Sequence, residues 1–243
     1  MIDNILLEIL QSKQVFKEGF SNNQRISASD SFEEHISQKL KQIGFTDYSQ
    51  EWEEFKKDKS NQTFCDYQTK AEATIFIKIF KEKLEDSTFE AVQMLKPTQG
   101  FIEQPLSSKR QPDILLWWIG KDGQSKYLLI DIKTGGGICP KINDRPIHRD
   151  HLIIFNSRNK KVKDKPTTIT FARDIFDDED YYQAERARLE FEEWKKHRLR
   201  NTKCTIRFNP RARVEICSLA NDWFNSESQA RESKAIDFIR KKL

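Results

Sequence analysis

Two apolar runs joined by a short turn dominate the middle of the chain and constrain its fold more than any other feature. The runs are 114–119 and 127–132, and residues 120–125, "GKDGQS", separate them. Two apolar runs of strand length around a glycine-containing turn predict a β-hairpin. The chain is therefore expected to fold around a sheet that contains this hairpin.

The flanking segments predict helices before the hairpin, and both strands and helices after it. Residues up to about 96 follow helical spacing, and "SDSFEEHISQKLKQIGF" has capping residues at its start and Gly44 at its end. Further elements are expected at "GFIEQPL", "HLIIFNS" and "TTITFA" (strands), at 177–200 and 226–243 (helices), and at Asn209-Pro210 (a hairpin turn). The sequence thus predicts a mixed α/β fold with a central, mostly antiparallel or mixed sheet of about five strands.

These elements are expected to form a single domain over residues 1–243. Its parts would be a helical N-terminal part (1–96), the sheet core (97–175) and a last part with a helix, a hairpin and a C-terminal helix (176–243). A chain of this length is long enough for one large domain.

Composition and charge exclude several classes of protein. There are 42 basic and 38 acidic residues, a net charge of +4 that permits a polyanionic partner without requiring one. No apolar run reaches the roughly 18 residues of a membrane span, and the N-terminus lacks the basic flank of a secretory signal. The four cysteines form no CxxC pair, which argues against a zinc knuckle or a disulfide framework. We expect a soluble, reduced, cytoplasmic protein without a membrane partner.

Three charged residues interrupt the apolar hairpin. Asp113 stands at the start of the first run, and Asp131 and Lys133 close the second. Side chains alternate along a strand, so Asp131 and Lys133 share one face while Ile130 and Ile132 point the other way, into the core. Pairing of the two strands brings Asp113 beside the end of the second. The three charged groups are therefore expected to converge at one edge of the sheet.

Such a constellation suits a divalent cation. Two carboxylates brought together repel each other, and oxygen ligands favour Mg²⁺, which usually takes one or two carboxylates plus substrate phosphate. Lys133 would position the hydrolytic water and offset developing negative charge. The glycines at 135–137 would let a nucleic acid backbone approach closely. Hydrolysis of a phosphodiester requires these groups.

Each half of the constellation also has an ordinary structural interpretation. An Asp beside a Lys on a strand is most often a surface ion pair, and a Pro-Asp pair is most often part of a turn. Their combination on apolar strands, with the aspartates 18 positions apart (131 − 113), favours the metal site.

The same residues resemble a known nuclease motif. Pro112-Asp113 and Asp131-Ile132-Lys133 fill the positions of the PD-(D/E)xK signature. Their flanks, "GFIEQPLSSKRQPDI" and "IDIKT", resemble the EcoRV-like branch of the type II restriction endonucleases over about residues 100–134. The resemblance implies a restriction-endonuclease-like fold and Mg²⁺-dependent cleavage of double-stranded DNA by a homodimer, leaving 5′-phosphate ends. It also implies a cognate DNA methyltransferase as a genetic partner.

The resemblance implies one further acidic residue. Members of this family often carry a helical glutamate upstream of the first aspartate. Glu85, 15 positions before Gly100, is the first candidate, and Glu72 and Glu82 are its rivals. The sequence defines the helix around them poorly, so the choice among the three stays open.

Two basic segments are candidates for DNA binding. "CPKINDRPIHRDH" contains Asn143 and Arg145, whose side chains suit contacts with base edges. "NSRNKKVKDK" contains Arg158, Asn159 and Lys160, a group better suited to phosphates and hence to affinity than to sequence choice. Charge runs are often simply solvated, and that interpretation stays open for both segments.

The expected helix at 177–200 is strongly polarised. Its first turn is acidic, "DDED", and its end is basic, "KKHRLR", which suits the helix dipole at both ends. The basic end raises the possibility of a DNA-recognition helix. Leu189, Phe191 and Trp194 instead favour a helix packed on the core with one solvated face.

Three functional hypotheses follow. The leading one is a type II restriction endonuclease in which Asp113 and Asp131 bind Mg²⁺ and Lys133 positions water. A repair or recombination nuclease of the same superfamily would recognise DNA structure rather than sequence. The third is a DNA-binding protein with a catalytically inert nuclease-like sheet, which the intact charged positions disfavour.

Overall fold

The structure of the chain, a computed structural model, shows helices and strands in a mixed α/β arrangement, as expected. The residues it describes are 28–59, 62–86, 88–107, 111–135, 140–143, 150–157, 167–175, 177–199, 213–215 and 226–242. None of the helices in these segments is long and apolar enough to cross a membrane.

The helices and strands follow the order that the sequence predicts, except that a short strand lies at 141–143, in a segment expected to be a loop. The described helices are α1 (Ala28–Gln42), α2 (Ser49–Asp58), α3 (Lys70–Asp86), α4 (Thr88–Gln93), α5 (Asp178–Leu199) and α6 (Ser226–Lys242). The described strands are β1 (Gly100–Glu103), β2 (Ile114–Ile119), β3 (Ser125–Gly135), β4 (Lys141–Asn143), β5 (His151–Ser157), β6 (Thr167–Phe171) and β7 (Arg213–Glu215). Of the hairpin expected around Asn209-Pro210, β7 alone is described, and it pairs with β4. The turn of that hairpin lies outside the described residues.

Five strands form one mixed sheet in the order β1-β2-β3-β5-β6, which confirms the expected sheet of about five strands. β1 with β2, β2 with β3, and β5 with β6 are antiparallel, and one neighbouring pair is parallel. β4 and β7 form a separate two-stranded antiparallel sheet. The predicted hairpin is thus the β2–β3 pair. Its turn is closed by the amide of Gly120, which donates to the carbonyl of Gln124 at 2.8 Å.

The chain divides into two compact units. The first comprises Met1–Ile132 with Ser233–Leu243, and the second comprises Lys133–Glu232. The division falls inside β3, immediately after Ile132. The expectation of one domain over 1–243 stays a prediction.

An aromatic cluster forms the core of the first unit. Its helical and loop members include Trp52, Phe55, Phe64 and Phe80, and its strand members are Ile102, Leu115, Trp117 and Leu129. The two buried indoles satisfy their N–H groups on backbone carbonyls, Trp52 on Pro105 and Trp117 on Pro97, each at 2.9 Å. Because Leu115 and Trp117 alternate with their neighbours along β2, the cluster covers one face of the sheet.

The other face of the same strands is also buried. Leu116 and Ile130 point to that face and are almost fully covered. Phe45, just after α1, packs edge-on against Trp118 with ring centroids 6.4 Å apart. Ser37 of α1 donates a hydrogen bond to the Glu103 carboxylate at the end of β1. The first three strands are therefore enclosed on both sides.

In the second unit, β5 and β6 are buried along their whole length. α5 differs, because none of its residues from 178 to 197 is buried. The expectation that Leu189 and Trp194 pack on the core is therefore wrong, and Phe191 is half-buried. Leu189 and Trp194 are about half exposed, and Phe191 stacks on Trp194 of its own helix with centroids 5.8 Å apart.

Candidate active site

The pairing of β2 with β3 places the two aspartates opposite each other. The last regular pair of the hairpin is Ile114 with Ile130. One step further along both strands, Asp113 stands opposite Asp131. Residues directly opposite each other in an antiparallel pair project to the same face of the sheet. The strand register thus assigns both carboxylates to one face at one end of the hairpin.

Asp113 is held in place by two hydrogen bonds with backbone groups of neighbouring strands. Its carbonyl oxygen accepts the amide of Gln104 at 2.7 Å. Its carboxylate oxygen Oδ2 accepts the amide of Ile132 at 2.6 Å. Ile132 lies between Asp131 and Lys133 in the sequence, so the Asp113 carboxylate reaches the segment that carries the other two charged residues.

Asp131 is fully buried, with an exposed fraction of 0%. It lies in the middle of β3, and alternation puts it on the face of Leu129 that the aromatic cluster covers. The expectation that Ile130 and Ile132 point into the core and Asp131 points away from it is therefore incomplete, because both faces of this part of the sheet are covered. Aspartates are almost never fully buried unless a cation or hydrogen-bond donors compensate their charge.

Lys133 follows two positions after Asp131 on the same continuous strand. Strand alternation puts its side chain on the same side of β3 as the Asp131 carboxylate. It is half-buried, whereas Asp131 is completely covered. The exposure of β3 thus increases from the buried Asp131 toward the end of the strand.

The donor set fits a magnesium ion. Among the described residues, no group of three or more His, Cys, Asp or Glu side chains is arranged to hold a metal ion. Mg²⁺ does not require such a group, because it commonly binds through one or two carboxylates and completes its shell with water and substrate phosphate. Asp113 and Asp131 supply two carboxylates on one face, which is enough for this ion.

The candidate glutamates upstream all lie on α3 and are exposed. Glu72 has a structural role, since its carboxylate accepts the amides of Gln68 at 2.7 Å and Thr69 at 3.2 Å. The Thr69 hydroxyl in turn accepts the amide of Glu72 at 3.2 Å, which completes a capping box. Glu82 lies 3.9 Å from Lys78 one turn earlier in the helix. Glu85 as a third acidic residue of the site stays a prediction.

The DNA-binding candidates are described only in small part. Asn143 ends β4 and pairs with Arg213 of β7 through the backbone. The other candidates lie outside the described residues: Arg145, Arg158, Asn159 and Lys160. Their roles stay predictions.

Sequence reasoning missed the residues that position Asp113. Gln104 has a backbone φ of 47°, in the left-handed region that a residue with a side chain rarely adopts. This turn aims its amide at the Asp113 carbonyl. Gln104 and Ile132 act through backbone amides, and a backbone amide leaves no signal in the choice of side chain.

Comparison of the chain with protein-family models, with curated proteins and with solved structures finds no match. The resemblance to a nuclease motif therefore depends on the residues between about 100 and 134 and on their placement in the fold.

Proposed function

We propose that the chain is a Mg²⁺-dependent, sequence-specific endodeoxyribonuclease of the restriction type. One observation carries the proposal: the Asp113 carboxylate is hydrogen-bonded to the amide between Asp131 and Lys133, and the two aspartates occupy opposed positions at one end of the hairpin. The substrate would be double-stranded DNA, cut by a homodimer in the cytoplasm. A cognate DNA methyltransferase would protect the host sequence.

Asp113 and Asp131 would hold the ion. Oδ2 of Asp113 accepts the Ile132 amide, so its other carboxylate oxygen is the better ligand. A bound Mg²⁺ would supply Lewis-acid polarisation of the phosphodiester and neutralise the two carboxylates. Asp131 is fully buried, and a cation beside it would offset part of the cost of enclosing its negative charge.

Lys133 would act on the water and on the phosphate. Its ammonium can donate a hydrogen bond that orients the attacking water and offset the negative charge that develops on the phosphate oxygens. The water oxygen forms a bond to phosphorus, the bond from phosphorus to the 3′ oxygen breaks, and the leaving oxygen takes up a proton. The products carry 5′-phosphate ends.

Sequence choice would come from the segments beyond β3. Asn143 and Arg145 would contact base edges, and Arg158, Asn159 and Lys160 would contact phosphates. A two-fold symmetric dimer reads a palindromic site most simply, because each copy reads one half-site.

A plasmid cleavage assay with Mg²⁺ or with EDTA tests the proposal. Asp131→Asn and Lys133→Ala are each expected to lower the cleavage rate at least about a hundredfold, because each removes a group that acts on the transition state. Cleavage by either variant at the rate of the parent would contradict the assignment. A smear or flap-specific cutting would favour a repair nuclease, and DNA binding without any product would favour an inert DNA-binding protein.

The same hairpin offers a matched control. Asp122 and Lys126 form an exposed ion pair with 2.6 Å between Oδ2 and Nζ, and Lys126 also lies on β3. The hydrogen bond from Lys126 holds the pKa of Asp122 below its usual value, so this carboxylate is also charged at neutral pH. Asp122→Asn and Lys126→Ala make the same chemical changes at the other end of the hairpin. Both are expected to leave cleavage unchanged.

A further inference from the structure

α5 is the one long described helix with no fully buried residue between 178 and 197; one stripe of it, which includes Tyr181, Arg188 and Phe191, is half-buried. A helix of 22 residues extends roughly 33 Å, and most helices of that length cover a core with one apolar stripe. Three large side chains of α5 are instead exposed: Tyr182 (67%), Leu189 (51%) and Trp194 (49%).

Ion pairs within α5 support a helix that is only partly covered by its own chain. Arg186 pairs with Glu190 at 3.1 Å, and Lys195 pairs with Glu192 at 3.3 Å. Such pairs at three- and four-residue spacing support a solvated helix. Tyr182 and Leu189 lie on one side of α5, outside its half-buried stripe, so two large side chains face solvent together there.

The distribution of charge along α5 indicates what kind of molecule binds this surface. Asp178, Glu179 and Asp180 form its acidic first turn, whereas Lys195 and Lys196 lie near its other end. Two such helices side by side in parallel would set like charges against each other. In antiparallel orientation, each acidic end meets the basic end of the other helix, so α5 is electrostatically complementary to itself.

We propose that α5 is a self-association surface on which α5 of a second copy of the chain packs in antiparallel orientation. A two-fold axis near the middle of the helix makes the two contacts identical, as in a closed isologous dimer. Tyr182 and Leu189 are seven residues apart, on one side of the helix two turns from each other, and would supply the apolar part of the contact. One helix pair makes a small interface, so the dimer is expected to dissociate on dilution.

This surface extends the proposed function, since a nuclease that cuts a palindrome needs a two-fold partner. The inference itself is drawn from the exposed residues and the charges of α5. Mass measurements without DNA or Mg²⁺ keep the two proposals separate. A dimer that does not cleave DNA would reject the nuclease and retain the surface. A monomer that cleaves DNA would reject the surface and retain the nuclease.

Charge reversal tests the antiparallel contact. The acidic-end variant is Asp178→Lys with Asp180→Lys, and the basic-end variant is Lys195→Glu with Lys196→Glu. Sedimentation velocity is expected to show a dimer for the parent and, for each variant alone, a dissociation constant raised at least about tenfold by like-charge repulsion. An equimolar mixture of the two variants is expected to dimerise again, because each end then meets its opposite charge.

Two further variants complete the experiment. Leu189→Asp, at an exposed position, is expected to weaken the dimer without lowering the melting temperature measured at a concentration where the parent is monomeric. Glu54→Lys with Asp58→Lys, an equal charge change on the exposed face of α2, is expected to leave the dimer intact. A parent that is monomeric at every concentration would overturn the proposal, and so would variants that dimerise as the parent does. Loss of DNA binding by the basic-end variant without a change in mass would also overturn it and assign that end to DNA.

Discussion

Asp113 combines two tasks at the scale of a single residue. One carboxylate oxygen accepts the amide of Ile132 at 2.6 Å, which fixes the carboxylate against β3. A carboxylate is a stronger acceptor of such a bond than a neutral oxygen. The residue therefore acts as a positioning group for the hairpin end whether or not it also binds a metal.

Variants of Asp113 separate these two tasks. Asp113→Asn keeps an oxygen that can accept the Ile132 amide, so a small loss of stability is expected together with a large loss of cleavage. Asp113→Ala leaves the amide without its acceptor and is expected to lower the free energy of unfolding by about 1.5–3 kcal/mol. Urea denaturation and the plasmid assay measure the two effects. Equal stability of the two variants would show that the hydrogen bond contributes nothing.

Asp47 makes the stability of the first unit depend on pH. Burial raises the pKa of its carboxyl group, but hydrogen bonds from Lys41 at 2.7 Å and from Ser49 prevail and lower it below the reference value of 3.8. Because the folded pKa is the lower one, this stabilisation is complete above the unfolded pKa. It is lost as the pH falls through the folded pKa.

Asp47→Asn is therefore expected to make the free energy of unfolding depend less on pH in the acid range. Urea midpoints measured between neutral pH and about pH 3 check this. The variant should be less stable than the parent near neutrality and approach it at the acid end. Asp86→Asn, at an exposed position at the end of α3, serves as the control and should follow the parent. A constant difference across the whole range would contradict the expectation.

At the scale of secondary structure, the start of α3 tests the choice among the upstream glutamates. Glu72 is engaged in the capping box with Thr69. Glu72→Ala is expected to lower the free energy of unfolding by about 1 kcal/mol and to leave cleavage per folded molecule unchanged. Urea denaturation and the plasmid assay measure both. A specific loss of cleavage with normal stability would instead indicate that Glu72 belongs to the active site.

Much of the secondary structure could be predicted because its signals are local. The β2–β3 hairpin follows from two apolar runs and a glycine-containing turn, and the end of α1 follows from Gly44, which has a φ of 97°. The spacing of Thr69 and Glu72 also matches a capping box and was readable in the sequence. Element boundaries and types of this kind need no knowledge of distant residues.

The burial of Asp131 could not be predicted in the same way. It depends on tertiary packing: Leu129, two residues before Asp131 on β3, belongs to a cluster with Trp52 and Phe80, which are far away in the sequence. One local signal was present, since "ILLWWI" is continuously apolar rather than alternating, which is typical of a strand buried on both faces. The expectation for α5 was wrong for a related reason. Apolar residues on a helix usually mark the side that faces a core, but Leu189 and Trp194 of α5 are about half exposed.

At the scale of the whole molecule, the five-stranded mixed sheet provides the frame for the proposed chemistry. The charged residues stand at the end of one hairpin, and the strand that carries Asp131 and Lys133 is continuous through both. A rigid strand fixes the spacing of a carboxylate and an ammonium better than a loop does. One of the segments expected to contact DNA follows this strand in the sequence, and the other follows β5.

The central claim is that Asp113, Asp131 and Lys133 make a Mg²⁺-dependent site that cuts DNA at a defined sequence. Sequencing the ends of phage DNA incubated with the parent, with Asp131→Asn and with Lys133→Ala tests it most directly. The parent in Mg²⁺ should give 5′-phosphate ends at one recurring sequence, and EDTA or either substitution should abolish them. Ends scattered without a shared sequence, or the same ends from the substituted proteins, would contradict the claim.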